Sequence, residues 1–159
     1  MRTRRTLQSV LVGLLAGALV AGPASLAFAE PGTQSPLAVY QGQGQGSGHV
    51  AVEPTGEDQG TLVNQVTVNV DGLTPNAAFS VQRAIDLTPG DGVCTIAPAP
   101  SPQGWVTDAT ITTSQGGAGA VHYSVHRSNV PSGTQIDIIF RVIGNGTELH
   151  SDCMTFTAK

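Results

Sequence analysis

Four histidines and two cysteines have the widest chemical repertoire in this 159-residue chain. The histidines are His49, His122, His126 and His150. His122 and His126 have the H-x-x-x-H spacing that puts two metal ligands on one face of a helix. Their surroundings predict a strand instead, because Val121, Tyr123 and Val125 alternate with them. Four strand residues at about 3.3 Å each set the two rings roughly 13 Å apart. One ion with Zn–N bonds of about 2 Å cannot join them. Both are expected as solvated histidines on the outer face of the strand. A copper or zinc site would need His150 to reach one of them across a hairpin, with Asp152 helping. His122, His126 and His150 are thus the weak metal candidates. The expectation is that the chain carries neither a metal nor a cofactor.

Other reactive patterns are thin. There is no G-x-S-x-G elbow for a serine hydrolase, and no spacing of Ser, His and Asp specifies a triad. With one Trp and two Tyr, the chain has few platforms for stacking sugars. No catalytic residue is assigned, and a non-enzymatic protein is expected. Asp86 and Asp91, with Gly90 and Gly92, form an acidic turn but lack the D-x-[DN]-x-[DN]-G pattern and the distal Glu of a calcium loop. Asp and Gly in a turn have a sufficient backbone explanation.

The chemistry of Cys94 and Cys153 depends on the compartment, and residues 1–29 point to it. Arg2, Arg4 and Arg5 precede an apolar run from Val10 to Ala21, and Ala27-Phe28-Ala29 is a small-x-small cleavage motif. The run is about a dozen residues, short of the roughly 20 that span a bilayer. The reading is a secretory signal cleaved before Glu30 and a secreted, extracellular product with no membrane span after cleavage. In that setting the two cysteines form one disulfide. It closes a loop of about 60 residues, which the chain-entropy model values at roughly 4 kcal/mol. Beyond residue 29 the chain has four basic residues against eleven acidic ones, a side-chain balance of −7. Nucleic acid and anionic lipid are bound through clustered Lys and Arg. No such cluster exists, so nucleic acid is excluded as a partner. An extracellular protein or a small ligand remains.

The elements that must position these residues are strands. Residues 30–36 read as a flexible lead and 37–159 as one β-sandwich domain. Leu37–Tyr40 is a short strand, and the alternating glycines from Gln41 to Gly48 suggest a mobile loop or a weak edge ribbon. Glu53–Gly60 reads as a turn. Val66, Val68 and Val70 alternate with Thr67, Asn69 and Asp71, a period of two with one buried face. Phe79, Val81 and Ile85 continue the pattern. Arg83 shares their parity. It needs Asp137, Asp108 or Glu148 if buried, and the favoured expectation is a strand end in solvent with the side chain snorkelling. Residues 97–104, with Pro98, Pro100 and Pro102, form a proline-rich loop beside Cys94. Ile136, Ile138, Phe140 and Val142 make the strongest strand. Ile139 and Ile143 on its other face suggest a central position covered on both sides. Gly144-Asn145-Gly146 is a hairpin signal. No window after residue 30 has a helical period.

Seven to nine short strands predict an all-β antiparallel sandwich, with a closed barrel as the alternative. Within it, Leu73-Thr74-Pro75-Asn76-Ala77-Ala78-Phe79 resembles the Leu-x-Pro-x-x-x-Tyr corner of fibronectin type III and related immunoglobulin-like domains. Phe79 replaces the Tyr, so the hydroxyl that bonds back to the backbone is missing. About four strands follow this corner where the type III pattern has one. The resemblance covers about a dozen residues and implies an immunoglobulin-like sandwich. More loosely, the chain resembles small single-disulfide secreted proteins of bacteria, a likeness that carries no catalytic residues. The expected function is a secreted immunoglobulin-like module with a binding or structural role. The alternatives are a protease inhibitor presenting the proline-rich loop, or a small-ligand or metal-binding protein.

Overall fold

The computed structural model describes residues 33–58, 61–86, 90–96, 104–128, 130–131 and 133–157. The signal segment and residues 30–32 of the lead lie outside them, as do residues 97–103 of the proline-rich loop. Among the described residues there is no helix, and the nine strands pair antiparallel throughout. They are β1 (Thr33–Val39), β2 (Ser47–Asp58), β3 (Thr61–Asp71), β4 (Ala78–Ile85), β5 (Val106–Thr112), β6 (Gly119–Ser128), β7 (Gln135–Gly144), β8 (Thr147–His150) and β9 (Met154–Thr157). The all-β sandwich expected from the period-two pattern is the fold observed.

One layer runs β1-β2-β3-β6 and the other β5-β4-β7-β8, with β9 beside β7. β1 belongs to both. Thr33–Leu37 pairs with β2, and Ala38 and Val39 pair with β8. The order β5-β4-β7-β8-β1-β2-β3-β6 is therefore continuous around one side. On the other side β5 and β6 lie next to each other. A Cβ added at Gly119 of β6 would fall 2.5 Å from Ile111 Cγ2 of β5. The architecture is a sandwich that comes close to a barrel.

Alternation explains which residues fill it. Val50, Val52, Val66, Val68, Phe79, Val81, Ile111, Phe140, Val142 and Leu149 are buried between the layers, each worth about 1.5–3 kcal/mol when fully removed from water. β7 is central, with β4 on one edge and β8 and β9 on the other. Its outward Ile139 and Ile143 are half-buried rather than covered by a further layer. Asn145 and Gly146 take positive φ of 49° and 74° and close the β7–β8 hairpin.

Three expectations change. β1 begins at Thr33, inside the segment expected as a flexible lead. Glu53–Asp58 is strand rather than turn, because β2 pairs with β3 through a bulge between Pro54 and Gly56. The glycine-rich stretch before β2 is a tied loop rather than a ribbon. Its backbone exchanges hydrogen bonds with β8 (Tyr40 N–H to the Glu148 carbonyl, Glu148 N–H to the Gln43 carbonyl). Gly44 has φ +91°, and a Cβ there would sit 2.2 Å from Thr147 Oγ1, so both its conformation and its neighbour require glycine.

The Leu73–Phe79 corner carries the chain from the first layer to the second. Leu73 and Phe79 are buried. The hydroxyl absent from Phe79 has a substitute from another strand end. Thr113 Oγ1 donates to the Thr74 carbonyl at 2.6 Å and accepts the Ala77 N–H at 3.0 Å.

Candidate functional site

At one end of the sandwich the layers part around a cleft of about 340 Å³. Ile85 from β4, Val106 from β5, Val125 from β6, and Ile136 and Ile138 from β7 line its apolar walls. Asn64, Arg83, Asp86, His126 and Arg127 supply the polar groups. Ligand sites in proteins are mostly apolar concavities of roughly 300–1,000 Å³ with a few convergent polar groups. This cleft meets that description.

Parity places each polar group. On β3, Asn64 shares the inward side with Val66, Val68 and Val70, and it is only 5 % exposed. Its Oδ1 is buried with no hydrogen-bond partner. An unmet acceptor of this kind costs about 1–3 kcal/mol, so Asn64 stands out as a group placed for something other than packing. Tyr123 lies on β6 directly across from Val66, one pair along from the Asn64–Val125 pair on the same face. Its hydroxyl is also buried without a partner. Burial pushes the Tyr123 phenol well above its ordinary value. The Asp108 carboxylate adds to that rise and the Arg83 guanidinium opposes it.

Arg83 does not snorkel as expected. Its Nε lies 2.8 Å from Asp108 Oδ2, and the two side chains are 19 % and 10 % exposed. The bulge in the β4–β5 pairing lies at this point, where Val81 faces Ala109, Gln82 faces Thr107 and Asp108 is the extra residue. The angles leave these two atoms an ion contact rather than a hydrogen bond. Asp108 was one of three acids that a buried Arg83 would require. The bulge that supplies it has no sequence signal. Burial raises the Asp108 carboxyl, and the charge of Arg83 holds it partly down. Replacing Arg83 by Gln is therefore expected to raise the Asp108 pKa further, read by titration of its carboxyl carbon in NMR. An unchanged value would mean that Arg83 has no electrostatic hold on it.

The metal candidates are not assembled. His122 is exposed on the outer face of the first layer, bonded through Nδ1 to Thr67 Oγ1 at 2.8 Å. His126 is exposed on the same strand, at the rim of the cleft. His150 sits on β8 in the opposite layer, so no hairpin brings it to either one. It takes part instead in a stack across the outer face of the second layer. Its ring lies 3.9 Å from that of Tyr40 and 5.3 Å from that of Trp105. Arg141 lies over Trp105 at 4.2 Å, a cation–π contact. Glu148 Oε1 meets His150 Nε2 at 2.7 Å and Arg141 at 2.9 Å. Burial would raise the Glu148 carboxyl, and these two partners more than reverse it.

The acidic turn gains a third member from β7. Oxygens of Asp86, Asp91 and Asp137 lie within 4.8 Å of one another. Asp137, fully buried, takes the N–H groups of Gly90, Asp91 and Gly92 on Oδ2 at 2.6, 3.1 and 3.2 Å. Its Oδ1 accepts the Thr155 hydroxyl. Burial alone would raise the Asp137 carboxyl, and these four donors hold it below the usual carboxylate range. Asp86 Oδ1 accepts the Thr95 N–H at 3.0 Å. The cluster therefore pins the irregular segment 90–96 to the second layer. The disulfide Cys94–Cys153, with Cα atoms 5.4 Å apart, pins it again.

No family model matches this chain, and no curated protein is significantly similar to it in sequence.

Proposed function

We propose that this chain is a secreted, non-enzymatic, immunoglobulin-like module that holds a small molecule in the cleft between its two layers. The observation that carries this reading is a cleft large enough for a ligand, with apolar walls and the side chains of Asn64, Arg83 and Arg127 in its lining. The immunoglobulin-like description is supported by the two layers and by the Leu73–Phe79 corner that crosses between them. Export is supported by the Arg2–Ala29 signal pattern and agrees with the disulfide. Among the described residues no helix is long and apolar enough to cross a membrane. The inhibitor alternative depends on the loop 97–104, of which residues 97–103 lie outside the described residues.

The test is native mass spectrometry of the protein purified from culture medium without denaturation. The expected result is a non-covalent adduct that is lost when Ile85→Trp fills the cleft. Circular dichroism of that variant shows whether the sandwich survives, and Val106→Trp, on the more exposed wall, serves if it does not. A bare covalent mass, together with no rise in melting temperature across small-molecule extracts of the medium, would falsify the reading. Any ligand bound to the folded state alone must raise that temperature.

A further inference from the structure

We propose that the ligand of the cleft is an amphipathic organic monocarboxylate, with an apolar body between the layers and its acid group at Arg127. This rests on the cleft reading above and goes further by naming the chemical class. The walls set the body of the ligand. Ile85, Val106, Val125, Ile136 and Ile138 offer only hydrocarbon, which favours an aromatic or aliphatic core over a sugar or a nucleotide.

Charge sets the acid group. Of the described arginines, Arg83 is paired with Asp108 and Arg141 with Glu148. Arg127 lines the cleft, is exposed, and has no carboxylate within 4.0 Å among the described residues. In a chain this acidic, an uncompensated guanidinium at the rim of an apolar cleft is a fork for a carboxylate. Asp86 in the wall argues against a ligand with several negative charges. Arg127 argues against a cation. A single negative charge at the rim fits both.

The experiment uses the full secreted chain and two probes of nearly the same shape. N-phenylanthranilate has two aromatic rings, one carboxylate and one N–H, and diphenylamine lacks only the carboxylate. Both are titrated while amide shifts are followed by NMR. The expected result is that N-phenylanthranilate perturbs Ile85, Ile136 and Ile138 and binds about tenfold more tightly than diphenylamine, the size expected of one charge-assisted contact. Arg127→Gln, an exposed substitution, is expected to erase that difference and leave diphenylamine unaffected. Equal binding of the two probes, or an Arg127→Gln variant that keeps the difference, overturns the carboxylate and leaves the cleft reading standing. Shift changes confined to residues outside the cleft overturn the proposed ligand class. No binding of either probe at millimolar concentration overturns the proposed ligand class, while the mass-spectrometric test of the cleft stands apart from it.

Discussion

Replacing Cys94 and Cys153 together by Ser is expected to lower the unfolding free energy by about 4 kcal/mol, the chain-entropy value for a loop of this length. For a domain of this size that corresponds to a fall of roughly 15 °C in melting temperature. The tether spans 59 positions in sequence. It joins the irregular segment 90–96 to residues 151–153, the break between β8 and β9. Without it, both ends of that contact gain freedom in the unfolded chain, and segment 90–96 is left to its hydrogen bonds with Asp86 and Asp137 among the described residues. Urea unfolding at neutral pH, with and without reductant, measures the effect. A loss under about 1 kcal/mol would mean that those hydrogen bonds already fix the segment and that the loop was restricted before folding.

The second large effect is at Asp137. Asp137→Ala is expected to cost about 3 kcal/mol or more, because it strands three backbone N–H groups whose acceptor carried a charge. Asp137→Asn tests the charge itself, since it keeps one acceptor oxygen but turns an amide towards donors. The wild-type carboxyl titrates below its ordinary value of 3.8 in the folded state. Its stabilisation is therefore complete above that value and is lost as pH falls through the lower, folded pKa. Melting curves between pH 7 and pH 2 should show this acid loss in the wild type and a flatter profile in Asp137→Asn. An unchanged profile would place the acid sensitivity at another carboxylate, with Glu148, also held below its usual range, the next to vary. Asp137 and the disulfide hold the same segment. Their combined loss should therefore depart from the sum of the two, and a double-mutant cycle reads that coupling.

Much of the framework was legible because strands write a period of two. Val66, Val68, Val70, Ile136, Ile138, Phe140 and Val142 could be assigned to an interior from alternation, and the structure buries all of them. The Gly144–Gly146 hairpin was legible because only certain residues accept positive φ. The glycine-rich loop after Tyr40 misled for the same reason, since glycines needed for positive φ and close contact look like glycines that merely loosen a chain. The cleft was not legible. Asn64 carried a signal, as the one polar residue on an otherwise apolar parity, but its neighbours on β4, β5, β6 and β7 are set by pairings between distant segments.

The sequence by itself determined the strand content, the inner faces, the acidic charge beyond residue 29 and the two cysteines. These depend on residue type and local spacing. Only the tertiary structure decided what those parts do together. It paired Arg83 with an acid that a bulge turns inward, separated His150 from His122 and His126 by putting them in different layers, and added Asp137 to the 90–92 turn as its anchor. Above all, it put Asn64, its Oδ1 buried without a partner, in the wall of a cleft. Each of these depends on which strands become neighbours, and that is fixed by burying the most apolar surface over the whole chain rather than by any stretch of it.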